Sequence, residues 1–258
     1  MQGIIMSADQ LTLHRKLIDR LAYAHDASMY RLVPEAIARP ENESAVKGLL
    51  EYAHSSGTSI TFRAAGTSLS GQAVTKGIIA EVVRGWKRHE ILDNGAAIRM
   101  QPGVIGSRAN LHLQPYHRRI GPDPASLESA MIGGIISNNS SGMVCGVKHN
   151  SYHTLRHIRF ILANGNCYDT SNADDYGKFL DVEKDLCTGL LLCRKEIATN
   201  SALNNKVRRK YSIKNTLGYS LNAFIDFDHP LDIFAHLLIG AEGTLAFFSS
   251  VTLNTIPD

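Results

Sequence analysis

Apolar positions recur along the chain with helical or strand spacing, in blocks that alternate rather than segregate. Leu11, Leu17, Ile18 and Leu21 form one apolar stripe, which predicts a helix over residues 9–22. Residues 32–38 read as a short strand, ended by Pro40. Asn42 caps a helix carrying Val46, Leu49, Leu50 and Ala53, and Gly57 stops it. Residues 59–63 and 77–83 read as strands. Residues 89–92 and 97–101 flank Asn94-Gly95, which predicts a hairpin with a tight two-residue turn. Short helices are expected over 104–113 and from Ser129 into Gly133. A second hairpin joins 156–162 to 167–170 through Asn164-Gly165. Residues 174–211 are helical in pattern, with Leu186, Leu190, Leu191 and Ile197 as markers and a break near Asn200. Residues 215–219 read as a loop. Pro230 opens a helix with Ile233, Phe234, Leu237 and Leu238, and residues 245–255 form a last strand. Helices and hairpins interleaved in this way predict an α+β fold with mixed or antiparallel sheets.

Composition narrows the picture. A chain of 258 residues holds one large domain or two small ones. A net charge of +3 is too small to point to nucleic acid, and the cluster Lys206, Arg208, Arg209 and Lys210 reads as a solvated helix face. No apolar run is long enough to span a bilayer and the first residues lack a signal-peptide pattern, so a cytoplasmic location is expected. Cys145, Cys167, Cys187 and Cys193 show no CxxC spacing and read as reduced thiols. His149 and His153 stand four apart, but in a segment that reads as loop; no metal site is expected. No paired carboxylates support glycosidase chemistry.

Three Gly-rich turns remain: Ala64 to Gly71, Gly133 to Gly142, and Gly240 to Gly243. The second lies within residues 121–146, GPDPASLESAMIGGIISNNSSGMVCG, where glycine would let a bound group approach main-chain N–H closely. The first follows a strand but lacks the Lys of a Walker loop, the GxGxxG of a dinucleotide fold and the GxSxG of a hydrolase elbow. Thr67, Ser68 and Ser70 could present donors to a pyrophosphate; a serine-rich turn between strands is the plain alternative. Glu242 between two glycines could clamp a ring or ribose, or simply follow a helix cap at Gly240.

Taken together, the segments RAAGTSLSGQ (63–72), GPDPAS (121–126), GGIISNNSSG (133–142) and GAEGTL (240–245) resemble the FAD-binding domain of the vanillyl-alcohol oxidase (PCMH) type. The branch most resembled is that of D-lactate and D-2-hydroxyglutarate dehydrogenases. NSYHTL (150–155) and KNTLGY (214–219) are similar to a bacterial subfamily fused to an iron–sulfur region. The resemblance implies an N-terminal helical extension over 1–25 and a two-subdomain FAD-binding domain over 26–258, divided near residue 100. It implies that Arg63, Ala64, Ala65, Gly66, Thr67, Ser68, Gly71 and Gln72 wrap the pyrophosphate. Pro122, Asp123 and Ser126 would hold the ribityl–phosphate region. Gly133, Gly134, Asn139, Ser141 and Gly142 would line the flavin and adenine path, and Glu242, Gly243 and Thr244 the adenosine end.

Members that attach flavin covalently in the first loop place a His where Thr67 stands, so non-covalent FAD is expected. Ala64, Ala65 and Ala246 replace family glycines. The implied function is oxidation of a small 2-hydroxy acid to the 2-oxo acid. Its catalytic residues are expected beyond residue 258, in a substrate cap, and nothing here points to an electron acceptor. A stand-alone FAD-binding module and a phosphate- or nucleotide-sugar-binding structural domain are the competing readings.

Overall fold

A computed structural model of the chain describes residues 12–258. The first sheet is built from β1 (Leu13–His14), β2 (Ala36–Ala38), β3 (Ile60–Arg63) and β4 (Ile78–Glu81), in the order β1-β2-β4-β3. β4 runs parallel to both β2 and β3, and β1 closes the edge antiparallel. Parallel pairing needs a crossover, supplied here by α2 (Glu43–Ser56) between β2 and β3. The Asn42 side chain accepts the Ala45 N–H at 2.9 Å and Gly57 ends the helix at φ 66°, as the sequence predicts. Ala36, Ile37, Ala38, Ile78, Ile79 and Ala80 are all fully buried, the continuous apolar run of a sheet covered on both faces. α1 (Leu17–Ala22) precedes β2.

The second sheet is antiparallel: β5 (His89–Leu92), β6 (Ala97–Met100), β7 (Arg118–Ile120), β8 (Leu155–Ile161), β9 (Cys167–Asp169) and β10 (Phe247–Pro257). Its order is β5-β6-β10-β8-β9, with β7 on the far end of β10. The last strand is therefore the spine, pairing with β6, β7 and β8. Its helices are α3 (Gly106–Leu113), α4 (Ile132–Asn138), α5 (Ser151–Thr154), α6 (Ala173–Val182), α7 (Lys184–Thr199), α8 (Ser201–Tyr211), α9 (Ala223–Asp226) and α10 (Pro230–Leu237). Phe160, Tyr168, Phe179 and Phe234 centre its core.

A third apolar cluster joins the sheets. Val46 of α2, Val82 and Trp86 pack on Ile161 and Phe247, and the Phe62 and Phe247 ring centroids lie 4.6 Å apart. Trp86 Nε1 donates to Pro40 O at 2.6 Å, so the buried indole is satisfied. Beside it, Arg159 donates to both oxygens of Glu43 at 2.7 and 2.8 Å, and Ser249 Oγ donates to Glu43 Oε1 at 2.6 Å. The Arg159 bond holds the Glu43 carboxyl below its ordinary pKa, against desolvation. This junction fixes the first sheet against β10, and so fixes the width of the gap between them.

Several elements differ from expectation. Within the predicted 9–22 helix, Leu13–His14 pairs with β2 instead and the helix begins at Leu17; residues 9–11 lie outside the described residues. The chain passes from the first sheet to the second between β4 and β5, since β5 and β6 pair into the second sheet. The first hairpin turns through four residues, 93–96, with Leu92 opposite Ala97. α4 starts at Ile132 because residues 124–130 are drawn into turns, Leu127 N–H to Pro124 O and Ala130 N–H to Ser126 O. The 174–211 stretch breaks at Glu183 as well as at Asn200. β7, α5 and α9 are too short for a periodic signal.

One buried polar group makes a testable statement about pH. Tyr152 OH donates to Asp226 Oδ2 at 2.7 Å, and its ring meets those of His153 and His236 with centroids 5.0 Å away. Burial holds both imidazoles below their ordinary pKa. The unfolded chain therefore binds more protons just below the ordinary histidine pKa, and stability is lost as pH falls through that window. The melting temperature is expected to drop between about pH 7 and pH 5. Calorimetry on H236F should show a shallower drop; an equal one removes His236 from the account.

Candidate functional site

A cleft of about 620 Å³ opens between the first sheet and the α4–β10 side of the second. Its floor is apolar, with Phe62, Val82, Pro102, Ile135, Phe247 and Phe248. Its walls are three loops.

The first loop leaves β3 at Arg63. The guanidinium lies 5.4 Å from the Tyr23 ring centroid and donates to Tyr23 O at 3.1 Å and Ala73 O at 3.4 Å. Desolvation lowers its pKa. Gly66, at φ 72°, folds the chain over that side chain; a Cβ there would stand 2.6 Å from the guanidinium. Ser68 Oγ donates to Gln72 Oε1 and accepts from Ser70 N–H and Gln72 N–H, so this hydroxyl braces the loop itself. Ala64, Ala65, Gly66, Thr67, Ser68 and Gln72 line the cleft with Arg63, whereas Gly71 packs against the Tyr30 ring.

The second loop is organised by Asp123, which does not line the cleft. Its carboxylate accepts N–H from Gly142 at 2.9 Å, Val144 at 2.8 Å and Cys145 at 3.2 Å. Desolvation raises its pKa, but the Val144 and Cys145 bonds outweigh it and the net shift is downward. Gly142 approaches so closely that a Cβ would fall 1.8 Å from Asp123 O. Pro122, buried, and Gly142 also stay out of the lining; Ser126 and Ser141 enter it. On α4, Gly133 bonds Pro102 O through its N–H at 2.8 Å, while Gly134 lines the cleft with nothing within 4 Å of where its Cβ would be. Asn139 is the left-handed C-cap of α4, at φ 50°.

The third loop is sewn onto α4 by Gly240 N–H to Ile136 O and Glu242 N–H to Ser137 O. Glu242 sits at φ 53°, and its carboxylate accepts from Asn138 Nδ2 at 2.6 Å and Gln72 Nε2 at 3.5 Å. All three loops thus meet at this group. Burial pushes its pKa up, against those two bonds. Gly243 lines the cleft; Thr244 turns away, its Oγ1 bonding Ala241 O at 2.6 Å.

Sequence reasoning missed Asn138, Ser140 and Thr216, which also line the cleft. Asn138 stood in a quoted motif, and only its position on α4 separates it from Asn139. Arg63 and Glu242 are the only ionisable side chains among the lining residues. The wall is otherwise main chain, hydroxyls, amides and small apolar groups, suited to enclosing a large polar ligand rather than to acid–base work. Gly134 and Gly243, with open space where a side chain would project, leave a cradle that a side chain would fill. The expected FAD fits that cradle in size class and in donor type. Among the described residues, no group of three or more His, Cys, Asp or Glu is placed to hold a metal. No described helix is long and apolar enough to cross a membrane.

Comparison with known proteins agrees. A family model described as an FAD binding domain matches residues 34–171. A D-2-hydroxyglutarate dehydrogenase of Pantoea ananatis is 28% identical over 251 residues, 93% of this chain and 24% of that protein. A D-lactate dehydrogenase of Archaeoglobus fulgidus is 26% identical over 243 residues, 92% of this chain and 43% of that protein. The solved glucooligosaccharide oxidase from Acremonium strictum, described with a 6-S-cysteinyl, 8α-N1-histidyl FAD, shares the fold at a TM-score of 0.62 and 14% identity, over 95% of this chain and 40% of its own. The chain spans about a quarter of the length of the D-2-hydroxyglutarate dehydrogenases it matches. With the family model covering more than half of its residues and a cleft built to enclose such a cofactor, the chain belongs to the FAD binding domain family.

Proposed function

We propose that this chain is the flavin-binding part of a dehydrogenase that oxidises a small D-2-hydroxy acid, of the D-lactate or D-2-hydroxyglutarate type. The observation that carries this is the three-loop cleft with its open glycine cradle, in a chain similar along more than nine-tenths of its length to such dehydrogenases. Main-chain N–H groups of residues 64–68 would hold the pyrophosphate, with Arg63 bracing the loop from behind. Ser126, Gly134 and Ser141 would line the ribityl and flavin path. Glu242 would accept from a hydroxyl or amino group at the adenosine end. Asp123, Asn139 and Gly142 would act one step back, by holding those walls in place. FAD supplies the acceptor for a hydride from C2 of the hydroxy acid. Residues 26–258 would form the binding domain.

Thr67 stands where covalent members carry His, which supports non-covalent FAD. Heat denaturation is expected to release the flavin into the supernatant, where its visible spectrum identifies it, and to leave the intact mass unmodified. A protein with no flavin and no FAD affinity would sink the whole reading.

The second reading, an FAD module without substrate turnover of its own, is favoured by the shortage of ionisable groups in the cleft. Adding D-lactate or D-2-hydroxyglutarate to the FAD-loaded chain tests whether the cleft turns over substrate by itself. The flavin band is expected to persist with this chain alone; rapid bleaching would mean that the cleft itself suffices for oxidation.

A further inference from the structure

The segment after α8 places beside the cleft wall a positive charge that the proposed cofactor contacts do not use. The last turn of α8 exposes Arg208, Arg209 and Lys210. Tyr211 OH donates to Tyr219 O at 2.7 Å and accepts the Leu221 N–H at 3.2 Å, which ties the two ends of the 212–219 segment together. Tyr219 OH meets Thr244 Oγ1 at 2.8 Å, fixing the segment to the third loop. Thr216 then lines the cleft. Two residues earlier, Lys214 Nζ donates to Gly142 O at 2.9 Å, next to Ser140 and Ser141 of the same lining.

Lys214 is exposed, and among the described residues it forms no ion pair. An ammonium has three donors, so two remain for a ligand. Arg63, the only cation in the lining, is already committed to Tyr23 and Ala73. The lining therefore offers mainly uncharged donors to a cofactor, while the Lys214 ammonium is bonded to Gly142 beside that wall and exposed to solvent.

We propose that Lys214 receives the carboxylate of the anionic substrate beside the Ser140–Ser141 wall of the cleft, and that the basic end of α8 draws that anion in. This rests on the hydroxy-acid dehydrogenase reading. A free anion reaching a solvent-facing ammonium gains from both the charge-assisted bond and the local field.

Oxalate, a non-reacting dicarboxylate, and uncharged oxamide are the probes, added to the FAD-loaded chain and followed by the flavin difference spectrum. Oxalate is expected to bind and oxamide not. In K214M the oxalate Kd is expected to rise about tenfold or more, with K214R close to the parent, the size expected for a charge-assisted contact. FAD affinity is expected to stay unchanged in both variants, and added salt to weaken oxalate binding. Equal oxalate binding by K214M, no oxalate binding by the parent, or a parallel loss of FAD affinity would each overturn the assignment; the last would make Lys214 a loop clip or phosphate ligand. Acylation of Lys214 in the cofactor-free chain, read by peptide mass with and without oxalate, keeps the two ideas apart. Protection without FAD uptake removes the flavin reading and keeps the anion site; FAD uptake without protection does the reverse.

Discussion

Gly142→Ala is expected to lower the melting temperature by roughly 10 °C and to weaken FAD binding at least about tenfold. The added methyl would fall 1.8 Å from Asp123 O and 2.7 Å from Asp123 Cγ. Neither atom belongs to a flexible chain end. One is main chain, and the other belongs to the carboxylate that collects the N–H groups of Gly142, Val144 and Cys145. Relieving the clash must separate the two strands of the loop and strand those donors. Overpacking against backbone costs about 1–3 kcal/mol and lost charge-assisted bonds add to it. The same movement shifts Ser140 and Ser141, which form the adjoining cleft wall. Thermal melting and FAD titration check both halves; a variant that melts with the parent and binds FAD equally well would refute the clasp.

Gly134→Ala is expected to move the same two measurements in opposite directions. Gly134 lies inside α4, where glycine is worse than alanine by about 1 kcal/mol because it surrenders more backbone freedom. Nothing stands within 4 Å of the added Cβ, so the cofactor-free chain should gain that stability with no steric cost. The methyl projects where the cradle is open, so FAD affinity should fall by about tenfold or more if the ligand approaches main chain there. Gly189 is the control: it is also helical, exposed and open at its Cβ position, but on α7 and outside the cleft lining. Gly189→Ala should stabilise without touching FAD affinity. Unchanged FAD binding in Gly134→Ala would mean that the ligand does not use this face of α4.

These two glycines also mark how far sequence reading reaches. Both were visible as members of one Gly/Ser-rich stretch, and nothing local distinguishes them. Gly142 is dictated by a carbonyl nineteen residues away in the chain, and Gly134 by empty space. Asp123 was legible as part of GPDPAS, but not its role, because its three partners lie beyond the next helix. Asn138 and Asn139 are adjacent and alike in composition. Helix phase sends one to Glu242 and makes the other a left-handed cap.

What the amino-acid order determined unaided was a set of features encoded within a few residues. The cap at Asn42, the stop at Gly57, the hairpin at Asn164-Gly165 and the start of α10 at Pro230 each rest on one side chain's bonding or one φ preference. The four motifs pointed to the cofactor class only through their resemblance to a known family; their small residues alone left a structural turn equally open. Tertiary structure alone decided the rest. The Trp86–Phe247 junction set the gap between the sheets, and Leu13–His14 became a strand because β2 offered it an edge. Glu242 met Gln72 and Asn138 across 170 and 104 residues of chain. Contacts at such separations depend on how the sheets pack, and no local pattern records that.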